Sequence, residues 1–189
     1  TPSYNYTIYQ LYQNYSGSST NDSSYFINNM VTGGSTYGAY FNGNYRTHFY
    51  NNSFLSGSGR TVYYYNPFYS QIKNNTFQNT GSGYVLYINS ASNIATGAIG
   101  FNNYYGPNSS THFYYGTNYS DLAAWQLAVN TQNTGSISAD PQHTSTTDLS
   151  TLSPNLNNQA IPLWHVVDDI DENLRPTAPD NSPDIGAVD

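Results

Sequence analysis

The chain has 189 residues, enough for one domain with a core of its own, yet only 8% of them are charged. Four bases (Arg46, Arg60, Lys73 and Arg175) against eleven acids leave a net charge of −7. That excludes nucleic acid and anionic membrane surfaces as partners, since both require a basic patch. There is no cysteine, hence no disulfide framework, and no apolar run approaches the ~18 residues of a membrane span. The chain opens on Thr1, with no leader-like segment, and reads as a processed or excised one.

Aromatic residues make up 16% of the chain and Tyr alone numbers 21. Tyr, Thr and Val favour strands, while Asn and Gly favour turns, so the composition points to an all-β fold with tight corners. From the N-terminus, Tyr4 to Tyr15 reads as one long strand. Asn28-Asn29, Asn51-Asn52 and Asn74-Asn75 then recur every 23 residues, with Asn102-Asn103 following after 28 and Asn5 one period earlier. Phe26, Phe49 and Ile72 stand two before these pairs. Val31, Phe54, Phe77 and Tyr105 stand three after the first Asn, with Ile8 in the first copy. Tyr40, Tyr63 and Leu86 stand twelve after it, next to Phe41, Tyr64 and Tyr87.

A period this short, without helical or leucine-rich spacing, suits three short strands per turn of a right-handed parallel β-helix. About five coils, each ~4.8 Å above the last, fill residues 1–119. Like side chains then stack, and Asn5, Asn28, Asn51, Asn74 and Asn102 form a buried amide ladder in which each side chain satisfies the next.

The period fails after Tyr105, and ten of the eleven acids lie from Asp121 onward. Residues 120–189 therefore read as a short helix plus an irregular tail packed on the same coils. Ser120 is the expected N-cap, and Leu122, Trp125 and Val129 form one apolar face that plugs the core. Six prolines between Pro141 and Pro183 break the rest of the tail into short segments.

Four pieces of this tail occur in a recognisable order. They are SDLAAWQ (120–126), SISADPQ (136–142), the Ser153-Pro154 step of SPNLNNQA, and DIDENLRP (169–176) followed by PDIGAVD (183–189). The set resembles the C-terminal region of right-handed parallel β-helix repeat proteins of the pectate-lyase-like superfamily, whose endings take the form DIDGNPRP then DIGAYE. Glu172 stands here where that pattern has Gly. The resemblance implies the fold and an extracellular or cell-surface location; it implies function only weakly, because such tails occur on polysaccharide-degrading enzymes and on surface proteins alike.

No catalytic constellation emerges. Arg46, Arg60 and Lys73 fall at unrelated offsets from the Asn pairs. Arg46 and His48 share a strand face but lack a carboxylate partner. Asp168, Asp169, Asp171 and Glu172 are the densest acidic cluster. They read either as a weak Ca²⁺ site through oxygen ligands or, the favoured reading, as a polar turn in which an Asp pairs with Arg175; Asp184 is a second candidate partner. His48, His112, His143 and His165 show no metal-ligand spacing. No cofactor is expected beyond that Ca²⁺ option. Of seven Asn-x-Ser/Thr sequons, Asn5, Asn51 and Asn74 belong to the ladder, leaving Asn14, Asn21, Asn108 and Asn118 as glycosylation candidates. Consecutive Tyr63, Tyr64 and Tyr65 must turn some rings outward, towards sugar rings or towards a neighbouring subunit.

The leading expectation is a non-catalytic extracellular structural protein, a filament or surface-layer subunit, self-associating through an exposed β-helix end or the strand over 4–15. The alternative is a polysaccharide-binding or polysaccharide-degrading module.

Overall fold

In a computed structural model the described residues are 6–10, 23–43, 45–57, 59–90, 94–176 and 182–188. Asn5, Asn14, Asn21 and most of the strand expected over 4–15 lie outside them. The elements are β1 (Tyr6–Gln10), β2 (Ser24–Ile27), β3 (Met30–Thr32), β4 (Tyr37–Asn42), β5 (Thr47–Tyr50), β6 (Ser53–Ser56), β7 (Arg60–Tyr65), β8 (Ile72–Lys73), β9 (Thr76–Asn79), β10 (Tyr84–Ile88), β11 (Ile99–Gly100), β12 (Asn103–Tyr105), β13 (Phe113–Tyr115), β14 (Asn118–Tyr119) and α1 (Leu122–Ala128).

These strands wind as a parallel β-solenoid of about 4 turns, rather than five. Sheet A runs β1-β4-β7-β10-β13, with β14 added antiparallel at its end; sheet B runs β2-β5-β8-β11, and sheet C runs β3-β6-β9-β12. Register brings like over like. Phe26, Phe49, Ile72 and Ile99 form the inward column of sheet B. Val31, Phe54, Phe77 and Tyr104 form that of sheet C. The Phe54–Phe77 and Phe77–Tyr104 rings stack at 5.3 and 5.4 Å, the offset-parallel contact that aromatic rings favour.

Between sheets B and C the chain turns a tight corner. Asn28, Asn51 and Asn74 do stack there, all left-handed, at φ of 54°, 52° and 60°. Asn tolerates this conformation better than other non-Gly residues. The residue after each carries the buried ladder. The side-chain Nδ2 of Asn29 donates to Asn52 Oδ1, Asn52 to Asn75, and Asn75 to Asn102, at 2.9–3.0 Å.

Several expectations need correction. Asn102 is in register with Asn75, not Asn74, because the last full coil is 27 residues long. Phe101 (φ 53°) takes the corner position instead, and Tyr104, not Tyr105, enters the aromatic column. Tyr87 pairs with Tyr63, and Leu86 with Val62, because that segment is one residue longer. Ile8 pairs with Ala39 in sheet A, so it is not a member of the Val31 column, and the 23-residue period does not reach back to it. The N-cap of α1 is Asp121, whose carboxylate accepts from Ala124 N; Ser120 donates its hydroxyl to Asp121.

Both corner columns extend one rung further than the Asn pairs suggest. Gly135 (φ 68°) lies over Phe101, and Ser136 Oγ accepts from Asn102 N at 3.1 Å. Helix α1 closes this end of the solenoid. Trp125 is fully buried, its ring 4.9 Å from Phe113 and 5.4 Å from Tyr115.

Candidate functional site

The first Asn column is the seam on which the tail docks. Asn74 grips a peptide unit, donating to Ile161 O at 2.8 Å and accepting from Ile161 N at 3.2 Å. Asn28 donates to Asp168 O at 2.7 Å. Gly186 N donates to Asn74 O, and Ala187 N donates to Ser53 Oγ. Arg175, buried to 3% exposure, is the clamp: its guanidinium donates to Asp168 O, Gly186 O and Asn28 Oδ1 at 3.0–3.3 Å. On the rung between, Asn51 Oδ1 accepts from Asn74 Nδ2 at 3.2 Å, while Asn51 Nδ2 is buried without a hydrogen-bond partner among the described residues. Here the tail bows outward and leaves a cleft of about 360 Å³, lined by Asn51, Pro162, Trp164, Val166, Val167 and Pro176 among others.

Beside this cleft lies the outer face of sheet B. Tyr25 and His48 are register partners, and the tail sets His165 against them. The Tyr25 hydroxyl is 3.3 Å from His165 Nε2, and the two rings are 4.5 Å apart. Tyr50 donates to Gln71 Oε1 at 2.7 Å, and Gln71 N donates to His48 Nδ1 at 3.2 Å. Burial, reinforced by the neighbouring His165, Arg46 and Lys73, lowers the His48 pKa to about 4. Burial also lowers Lys73 and His165. Arg46 and His48 are thus neighbours as expected, in a cluster whose cations favour the neutral His48 ring.

The outer face of sheet A is a tyrosine wall. Along one column the Tyr40–Tyr63, Tyr63–Tyr87 and Tyr87–Tyr114 rings lie 4.8, 4.9 and 4.3 Å apart. Tyr64 is fully buried while Tyr63 and Tyr65 face outward, as strand alternation requires. Arg60 wedges into this wall. Its guanidinium sits 4.0 Å over the Tyr87 ring and 5.0 Å from that of Tyr63, and donates to Tyr37 Oη at 2.9 Å. The wedge coincides with an 80° turn between the Tyr63 and Tyr87 planes. Burial and the Tyr40 and Tyr87 hydroxyls raise the Tyr63 pKa to about 12, so its hydroxyl is neutral at ordinary pH.

The acidic cluster is turn architecture. Asp169 is buried, and its carboxylate accepts from Asp171 N, Asn173 N and Asn173 Nδ2 at 2.8–3.2 Å. Asp168 takes part through its carbonyl, while Asp171 and Glu172 are exposed. Among the described residues no group of three or more His, Cys, Asp or Glu stands close enough to hold a metal ion, and no helix is long and apolar enough to cross a membrane. Asn108 and Asn118 are exposed; Asn108 donates to Thr80 O, and Asn118 accepts from the Tyr84 hydroxyl. The cleft and the exposed Trp164 were not anticipated from sequence. The apolar run Ile161-Pro162-Leu163-Trp164, in an otherwise polar tail, was the available signal. No family model matches the chain, and neither a curated protein nor a solved structure gives a significant match.

Proposed function

We propose that this protein is a non-catalytic extracellular structural protein that self-associates through the open end of its solenoid. The observation that carries the reading is that β1, β2 and β3, at one end, are the terminal strands of sheets A, B and C among the described residues. A terminal strand offers backbone groups to another chain. Flanking β3, Asn29 O and Gly33 N bond to the neighbouring strand, and alternation turns the backbone groups of Met30 and Thr32 to the open side. The Thr7 hydroxyl takes one of these outward groups, Thr32 O, at 2.8 Å. The opposite end is closed by β14 and α1, so association pairs two open ends about a two-fold axis.

A location outside the cell is supported by the charge-poor Tyr/Asn surface and by the tail motifs. Glu172 adopts φ 66° where the resembled pattern has Gly. A second reading, glycan binding, is favoured by the hydroxyl-rich wall of sheet A, whose rings and ring edges suit a polyol better than a charged polymer.

Sedimentation velocity tests self-association. The expected result is concentration-dependent association that Thr32→Lys weakens; a strict monomer at high concentration overturns the reading. Reducing-sugar and unsaturated-product assays test the non-catalytic part, and turnover lost on changing a single tail Asp would refute it. Immunolabelling of intact host cells tests the location.

A further inference from the structure

The tail presents apolar side chains to solvent in one place. Trp164, Val167 and Leu174 expose 84%, 55% and 82% of their surface. Val167 and Leu174 are held side by side by the Arg175 N to Val167 O bond at 2.9 Å and by the Asp168–Leu174 bridge, and Trp164 lines the same cleft as Val167. Soluble surfaces scatter such residues singly, and a contiguous group marks a contact surface. The cleft over Asn51 opens in the same surface, with Trp164 and Val167 in its lining. A protruding indole and an apolar hollow side by side are what a self-complementary contact requires, because each copy then supplies both.

The charge pattern agrees with a second copy as the occupant. The chain has only four Lys and Arg side chains, and two of them, Arg46 and Lys73, stand near His48 on the sheet B side of this surface. Asp168, Asp171 and Glu172 stand in the turn just beyond it. A two-fold axis through the patch sets the basic flank of each copy against the acidic flank of the other.

We propose that the Trp164 surface is a two-fold docking site for a second copy of this chain, each indole seating in the partner's cleft. The inference rests on the self-association reading and extends it. The open end gives pairs only, whereas a second two-fold contact on the flank joins pairs into larger assemblies.

Sedimentation velocity of the full chain, over a concentration series, tests this. Wild type grows beyond two chains. Trp164→Ala with Leu174→Ser stops at pairs, Thr32→Lys leaves only flank pairs, and the combined variant is monomeric. Iodide quenching supplies a second readout, since Trp125 is buried and Trp164 exposed: quenching falls as wild type assembles. If Trp164→Ala/Leu174→Ser is folded but leaves the size distribution unchanged, or if wild-type quenching does not fall with concentration, the flank contact is refuted. If Thr32→Lys changes nothing while the Trp164 variant abolishes association, the open-end reading fails and the flank contact stands.

Discussion

Replacing Asn75 by Ala removes the centre of the amide ladder. The Asn75 side chain is fully buried and fills its four hydrogen-bonding sites. The two hydrogens of its Nδ2 are shared among Asn102 Oδ1, Phe49 O and Lys73 O, and its Oδ1 accepts from Asn52 N and Asn52 Nδ2, all at 2.9–3.0 Å. At a net ~0.5–1.5 kcal/mol for each of these four, with their partners left buried, the loss is roughly 2–6 kcal/mol. That is a large fraction of the ~5–15 kcal/mol that holds a typical domain folded. Asn29, at the half-buried end of the same ladder, makes two side-chain bonds among the described residues, donating to Ile27 O and Asn52 Oδ1. Asn29→Ala is therefore expected to cost about 1–3 kcal/mol. Urea unfolding followed by far-UV circular dichroism measures both. Equal losses for the two variants, or a loss under ~1 kcal/mol for Asn75→Ala, would refute the ladder as the spine of the fold.

Three further outcomes are expected from the backbone and from the sheet B face. Glu172→Gly is expected to raise stability by about 1 kcal/mol, because Glu172 is held at φ 66°, where an L side chain is strained; calorimetry should show a higher Tm. Gly135→Ala should lower Tm, because a Cβ there would lie 2.4 Å from the Phe101 ring, at a φ of 68°. For His48 the folded pKa, about 4, lies below the ordinary 6.5, so the unfolded chain binds the proton more readily. Its contribution is therefore fully present above pH 6.5 and lost as pH falls towards 4. His48→Gln should flatten the stability profile across that window, and an unchanged profile counts against the burial of His48.

Much of the solenoid was legible because stacking forces like residues into columns. The Asn28, Asn51 and Asn74 corner and the Phe26, Phe49 and Ile72 column emerge directly from a 23-residue spacing. The break came where the spacing changed. Asn is the natural choice for a left-handed corner, so the Asn102-Asn103 pair suggested Asn102; the longer coil instead puts Phe101 there at φ 53°. A bulky residue in that conformation is one that propensity argues against. Ile8 was misplaced because a periodic pattern says nothing about the length of the coil before it starts. The cleft was illegible for a different reason: it arises where two distant segments, the Asn51 corner and residues 161–167, fail to touch.

The chain lacks cysteine, so stacking can be read directly by engineered cross-links. Tyr40 and Tyr63 are register partners on adjacent strands, and Tyr87 lies one strand further. Adjacent parallel strands bring Cα atoms to ~4.8 Å, within disulfide reach, and two strands apart they are at roughly twice that. Under mild oxidant Tyr40→Cys/Tyr63→Cys is expected to form an intramolecular disulfide in the folded protein, and Tyr40→Cys/Tyr87→Cys is not. Failure of the first pair, or efficient closure of the second, would contradict a solenoid built in this register.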